Sequence, residues 1–144
     1  MLAVLETRYV PGELVVVACR DGAEVGRTTL ATAAEPQLAV AADRTRLRAD
    51  DADLAYVVVE LRDADGRLVT GADRPVTVSV SGSGRLIGMC SANPKTVERF
   101  DADTWTTFDG RALAVVRPTA AGSVTVTVEA DGLEPQTLTL DVQP

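Results

Sequence analysis

The sequence predicts an all-β fold, an antiparallel β-sandwich. Apolar residues alternate with polar or Thr/Ser residues in four windows, residues 56–62, 76–81, 123–129 and 136–142. A period of two puts alternate side chains on opposite faces of a strand, one row in a core and one in water. Turn signals such as Asp21-Gly22, Asp109-Gly110 and Asp131-Gly132 separate the apolar segments. No window carries the apolar stripe of a helix, and closely spaced strands with turns between them favour a sandwich.

The N-terminal part contains three short strand-like segments, at residues 4–9, 14–20 and 24–31, joined by Pro11-Gly12 and Asp21-Gly22. Three strands of an open sheet do not enclose a core of their own. Residues 1–34 are therefore predicted to be the last strands of an upstream β-sandwich domain, followed by a linker. Deprived of that domain, their apolar faces and open edges are expected to pack on the second domain or pair with a second copy of the chain.

The remaining residues, 35–144, contain enough strands for one complete sandwich. Strands are predicted at residues 38–42, 55–62, 76–81, 85–89, 104–108, 111–117, 123–129 and 136–142. The long connection at 92–103 opens with a polar, Pro-containing segment and is predicted to be a surface loop.

Charge and composition exclude several classes of function. The chain of 144 residues has 14 Lys and Arg against 21 Asp and Glu, a net charge of −7, and no His. An acidic chain without a basic cluster does not bind the phosphate backbone of nucleic acids. Without His there is no Ser-His-Asp or Cys-His relay in this chain. The longest apolar runs are too short to span a membrane, and the N-terminal residues lack the features of a signal peptide.

Metal and thiol chemistry are not expected either. Two cysteines, Cys19 and Cys90, cannot form a four-thiolate zinc site. The Trp and Tyr that accompany the inter-sheet disulfide of antibody domains are missing at the required places. We therefore predict two unpaired thiols, buried or partly buried, and no cofactor.

The carboxylates are numerous enough for a chance pair of the kind that glycosidases use. However, Asp21, Asp65, Asp109 and Asp131 each precede Gly, where a role in a turn explains them. Residues 63–66 (Asp-Ala-Asp-Gly) resemble the start of a calcium loop, but the later ligands of that loop are missing. A hairpin turn is the favoured interpretation, and no catalytic or metal-binding residue is predicted.

The candidate contact residue is Trp105. Trp105 and Phe108 are the two aromatic residues that lie close together, but alternation along a strand places them on opposite faces. Phe108 is predicted to anchor the core. Trp105 could then be partly exposed and contact a sugar or a neighbouring domain.

Several motifs together resemble a known family. Residues 9–14 (Tyr-Val-Pro-Gly-Glu-Leu) and the hairpin at 21–33 resemble the closing strands of a β-sandwich that follows the catalytic barrel in glycoside hydrolase family 2 enzymes. The segments 38–45, 53–61, 63–66, 80–88 and 108–117 resemble the C-terminal bacterial immunoglobulin-like domain of many β-galactosidases of that family. The resemblance covers nearly the whole chain and implies an immunoglobulin-like sandwich.

The resemblance also implies a bacterial parent enzyme, cytoplasmic or secreted, that hydrolyses β-galactosides or related glycosides with two glutamates of a barrel outside this chain. The chain itself is then a non-catalytic domain whose partners are the other domains of the parent, with a role in domain packing or oligomer support. The alternatives are an accessory module that contacts carbohydrate and an immunoglobulin-like cell-surface adhesion domain. Self-association through residues 1–34 is one of the two outcomes expected of the isolated chain, the other being packing of these strands on the second domain.

Overall fold

The computed structural model describes residues 4–144. Backbone contacts divide the chain into two compact units, Met1–Ala33 and Ala34–Pro144. The regular structure of both units consists of strands and turns, so the predicted all-β fold class is confirmed. Among residues 4–144 there is no helix long and apolar enough to cross a membrane.

The first unit is a two-stranded antiparallel hairpin. Strand β1 (Glu13–Arg20) pairs with β2 (Ala23–Ala31) along its whole length. Asp21 and Gly22 connect them with φ values of 51° and 80°. Positive φ at both central residues is the geometry that a two-residue hairpin turn requires, and Asp-Gly adopts it readily.

Apolar side chains are exposed on both faces of this hairpin. Leu14 and Val16 lie on one face, Val15 and Val17 lie on the other, and all four are more than one third exposed. Two strands alone bury no core. The apolar side chains on both faces of the hairpin are therefore left uncovered within the first unit.

The predicted strand at residues 4–9 is wrong. Within residues 4–33 this segment pairs with no neighbouring strand, and its side chains, including Val4, Leu5 and Tyr9, are exposed. Alternating side chains do not make a strand without the backbone of a partner to bond to. The structure of residues 1–3 lies outside the described residues.

The second unit is a sandwich of two sheets. One sheet has five strands in the order β4 (Arg46–Arg48), β11 (Gln136–Gln143), β10 (Gly122–Ala130), β6 (Pro75–Gly82) and β8 (Thr104–Thr106). The other has four strands in the order β3 (Gln37–Ala42), β5 (Ala55–Arg62), β9 (Arg111–Pro118) and β7 (Gly84–Cys90). All pairs are antiparallel except β11 with β4, which is parallel.

Both sheets contribute alternate residues to one core. The fully buried apolar side chains include Val57, Val59 and Leu61 of β5, Val124, Val126 and Val128 of β10, and Trp105 of β8. At about 1.5–3 kcal/mol for each fully buried Val or Leu, this burial is the main favourable term in folding the unit. The alternation read from the sequence therefore corresponds to one inner and one outer face on each sheet.

Candidate functional site

Trp105, the candidate contact residue, is fully buried. It lies on β8, opposite Val76 of β6, and its indole Nε1 donates a hydrogen bond to Ser91 Oγ at 3.0 Å. Its ring stacks on Phe100 with centroids 5.2 Å apart and an interplanar angle of 29°. The Trp105 ring therefore has no free face for a sugar or a neighbouring domain to contact in this structure.

The expected core role of Phe108 is wrong. Trp105 and Thr107 are the buried residues of this segment, while Phe108 is half-buried. Phe108 begins a tight turn, in which its amide donates to Arg111 O at 2.8 Å and its carbonyl accepts from the Arg111 amide at 3.1 Å. The alternation was predicted correctly, but the inward face is the one that carries Trp105.

The connection between β7 and β8, residues 91–103, is held to β8 by Glu98. Glu98 Oε1 accepts hydrogen bonds from the amide and the hydroxyl of Thr106, both at 2.8 Å. Glu98 Oε2 accepts one from Thr96 Oγ1 at 2.7 Å. Burial works to raise the pKa of Glu98, but these hydrogen bonds outweigh it and hold the pKa below its usual range. The loop thus has a charged anchor at its centre.

The same loop presents two apolar side chains to solvent. Val97 is 96% exposed and Phe100 is 67% exposed, on either side of the Glu98 anchor. The Phe100 carbonyl accepts a hydrogen bond from the Met89 amide at 2.8 Å, which fixes the backbone beside β7. Sequence reasoning missed this surface, although two apolar residues in an otherwise polar loop were a usable signal.

Asp63 is a structural carboxylate in a turn. It is almost fully buried, and its oxygens accept hydrogen bonds from the amides of Ala34 at 3.1 Å, Asp65 at 3.0 Å and Arg67 at 2.8 Å. Burial acts to raise the pKa of Asp63, but these amides and the guanidinium of Arg67 keep it below the usual range. The Asp63 oxygens are thus occupied by hydrogen bonds from backbone amides, as expected for a hairpin turn at residues 63–66.

The carboxyl groups whose pKa departs from its ordinary value all depart in the same direction. In each case the pKa is lowered, and the groups concerned are Asp43, Asp50, Glu60, Asp63, Glu98 and Asp101. At several of them burial opposes ionisation, and hydrogen bonds or neighbouring arginines outweigh it. A general acid of a glycosidase needs the opposite shift. Residues 4–144 also contain no cluster of three or more Cys, Asp or Glu placed to hold a metal ion.

One shallow pocket of about 440 Å³ is lined by Ala72, Asp73, Arg74, Pro75 and Asp131. Arg74 donates to the Asp131 carbonyl at 3.4 Å, and its Nε has no hydrogen-bond partner. The lining has charge but no aromatic ring, which sugar-binding sites commonly use for stacking.

The two thiols are free, as predicted. Cys90 is half-buried at the end of β7, whereas Cys19 is exposed on β1, so the prediction that it is at least partly buried is wrong. The reason is that no second layer covers β1 within the first unit. Neither thiol has a neighbouring His to activate it, because the chain contains none.

Comparison with curated proteins finds relatives among β-galactosidases. Beta-galactosidase BoGH2A of Bacteroides ovatus is 31% identical over 138 residues, which make up 94% of this chain and 16% of that protein. A β-galactosidase of Thermoanaerobacter pseudethanolicus is 35% identical over 95 residues, 65% of this chain and 12% of that protein.

Comparison with solved structures gives the same family. A glycosyl hydrolase family 2 member from Bacteroides cellulosilyticus matches with a TM-score of 0.84 and 33% identity, over 96% of this chain and 18% of that one. This chain spans less than one fifth of the length of each of these three proteins.

The family model of glycoside hydrolase family 2 C-terminal domain 5 matches residues 38–139. The resemblance read from the sequence motifs is thus confirmed, and the chain belongs to the glycoside hydrolase family 2 C-terminal domain 5 family.

Proposed function

We propose that this chain is the C-terminal accessory region of a β-galactosidase-like enzyme that hydrolyses O-glycosyl bonds. The observation that supports this most directly is the match to Beta-galactosidase BoGH2A, which extends over 94% of this chain but only 16% of that protein. In this proposal the glutamates that carry out hydrolysis lie in the part of the parent enzyme outside these residues.

The chain's own role is then structural, in domain packing or in support of an oligomer. Two features support a non-catalytic role. Six carboxyl groups, Asp63 and Glu98 among them, have a pKa below the ordinary value, which favours their ionised form. The oxygens of Asp63 and Glu98 also accept hydrogen bonds within the fold. A carboxylate that is held ionised by its neighbours cannot easily deliver a proton to a leaving group.

The proposal is tested by comparing two proteins on an aryl β-galactoside. We expect the full parent enzyme to turn the substrate over and residues 1–144 alone to show no turnover above the buffer blank. A parent in which residues 34–144 are deleted should keep its chemistry when freshly folded but lose activity faster on heating. Turnover by the 144-residue chain alone would refute the non-catalytic role, and an inactive intact parent would refute the enzyme assignment.

We further propose that residues 1–34 are the last strands of an upstream β-sandwich. The hairpin formed by β1 and β2 exposes Leu14 and Val16 on one face and Val15 and Val17 on the other, as strands in the interior of a sandwich do after their neighbours are removed. The isolated 144-residue chain should therefore either self-associate through this unit or cover its apolar faces within the same chain. Self-association would appear in light scattering as dimers or larger species for residues 1–144 and a monomer for residues 34–144. A strict monomer in both cases, together with fast amide exchange throughout residues 1–34, would contradict the proposal.

Contact with carbohydrate is the second candidate function, and Phe100 is the observation that favours it. Its ring is 67% exposed on a loop that Glu98 anchors, so it could offer a fixed face to a sugar. Galactose-containing oligosaccharides should then retard the chain in affinity electrophoresis, and Phe100→Ala should abolish the retardation. Equal mobility with and without sugar would leave the structural role as the function.

A further inference from the structure

The outer faces of the two sheets differ in chemistry. On the five-stranded sheet the outward residues of β10 and its neighbours are polar: Thr125, Thr127, Glu129, Ser79, Ser81, Thr137, Thr139 and Asp141. On the four-stranded sheet the outward residues at the centre are apolar: Ala41, Tyr56, Val58, Leu113 and Val115. A sheet that faces only water is expected to be polar on its outer side, as the first one is.

The apolar residues form a continuous patch. Ala41, Val58 and Leu113 are directly opposite one another on three adjacent strands, β3, β5 and β9. Tyr56 and Val115 form the next cross-strand pair. Tyr56 is 41% exposed and Val58 is 36% exposed, although both lie on β5, a central strand of the sheet. Neighbouring apolar side chains of this kind, exposed or half-buried on the outer face of a sheet, are typical of an interaction surface.

One end of this patch carries uncompensated positive charge. Arg85 of β7 and Arg117 of β9 are a direct cross-strand pair, and neither has a carboxylate within salt-bridge distance among residues 4–144. Arg117 Nε is buried without a hydrogen-bond partner. Like charges opposite one another destabilise a sheet unless something neutralises them. At the opposite end of the patch, by contrast, the arginines have a carboxylate partner, because Glu60 accepts hydrogen bonds from both Arg62 and Arg111.

The place where the chain enters this unit points to the occupant. The Ala34 amide is bonded to Asp63 directly after β5, so the preceding chain joins the unit at the end of the central strand of this same sheet. If the chain is the C-terminal region of a longer enzyme, as proposed above, most of that enzyme is tethered at this point. A tethered partner has a far higher effective concentration than a second molecule.

Resting on that proposed function, we propose that the outer face of the four-stranded sheet is the docking surface for the parent enzyme's own chain upstream of residue 1. The upstream surface covers Tyr56, Val58 and Leu113 with apolar side chains and presents carboxylates to Arg85 and Arg117.

The test is photo-crosslinking in the intact parent enzyme. The photoreactive amino acid p-benzoylphenylalanine replaces Val58 in one variant and Thr127, at the centre of the polar outer face, in a matched control. We expect the Val58 probe to crosslink to peptides upstream of residue 1 in the same polypeptide, several times more than the Thr127 probe. Crosslinks between two polypeptides would show that a second copy occupies the face. A yield no higher than that of the Thr127 probe would show that nothing does. Either result overturns the proposal.

A second test of the docking proposal uses the protein without any substitution. Hydroxyl-radical labelling of Tyr56, read by mass spectrometry, should be several-fold lower in the parent enzyme than in the 144-residue chain. Equal labelling overturns the docking proposal. Turnover of an aryl β-galactoside by the unmodified parent is recorded separately, so an inactive parent would count against the proposed function and leave the docking result readable.

Discussion

At the scale of single residues, buried or anchored side chains hold the β7–β8 loop to the sandwich. Trp105 combines a large apolar ring with one polar atom. The ring packs in the core and stacks on Phe100, and Nε1 donates a hydrogen bond to Ser91. Glu98 holds the same loop by three accepted hydrogen bonds to Thr96 and Thr106. These contacts hold the loop beside β8 even though Val97 and Phe100 are exposed.

The burial of Trp105 can be tested by fluorescence, because it is the single Trp of the chain. In the folded chain acrylamide should quench its emission weakly, and unfolding in guanidinium chloride should increase the quenching several-fold. Galactosides should leave the emission unchanged. Trp105→Phe should lower the free energy of unfolding by about 1–3 kcal/mol, because it loses the bond to Ser91 and leaves unfilled volume. Strong quenching in the native state would contradict the buried position.

Replacing the anchor of the loop should destabilise the sandwich. Glu98→Ala removes the acceptor of three hydrogen bonds and leaves the Thr106 amide without its partner, which should cost about 1–3 kcal/mol of unfolding free energy. Glu134→Ala, at an exposed loop position with no bonded partner among the described residues, is the matched control and should change stability by less than about 0.5 kcal/mol. Urea unfolding of both variants measures the difference. Equal stabilities would mean that Glu98 does not anchor the loop.

At the scale of elements, the long alternating segments were predictable and the short or unpaired ones were not. The segments at 55–62, 111–117 and 123–129 match β5, β9 and β10 within two residues at each end, because their alternation coincides with a buried and an open face. Strand β4 was missed because Arg46–Arg48 has one inward residue, Leu47, and forms only by parallel pairing with the distant β11. Trp105 and Phe108 both lie in the strand predicted at 104–108, and β8 itself ends at Thr106. Which of the two rings enters the core depends on tertiary packing, so alternation could not choose between them.

The connection from β6 in the five-stranded sheet to β7 in the four-stranded sheet depends on Gly82. It ends β6 with a φ of 84°, and a Cβ there would lie 2.2 Å from the Ser123 carbonyl oxygen of β10. Gly82→Ala should therefore cost about 3 kcal/mol or more, because a backbone clash adds to the strained φ. Gly132→Ala, with a φ of 72° and open space around the new Cβ, should cost only about 1–2 kcal/mol. Similar thermal shifts for the two variants would show that the crossing is not constrained by this contact.

At the scale of the whole molecule, acidic composition and structure together determine the dependence of stability on pH. The chain lacks His, the side chain that most often titrates between pH 5 and 8. Six carboxyl groups, Asp63 and Glu98 among them, have a pKa below the ordinary value. A carboxyl group whose pKa is lower in the folded state stabilises the fold once it is ionised, and this contribution is lost as protons bind.

These carboxyl groups should stabilise the fold at neutral pH and lose that effect in acid. The contribution is fully present above the unfolded-state pKa values, about 3.9 for Asp and 4.3 for Glu, and disappears as the pH falls through the lower folded-state values. The melting temperature of residues 34–144 should therefore be nearly constant from about pH 5.5 to 8 and fall steeply below about pH 4.

Asp63→Asn should lower the melting temperature on the plateau and make the acid step smaller, because a neutral amide cannot supply the ionised acceptor for the Ala34, Asp65 and Arg67 amides. Asp51→Asn, at an exposed position, should leave the melting temperature on the plateau unchanged. A stability change centred between pH 6 and 7 would show that a group other than these carboxylates controls the fold.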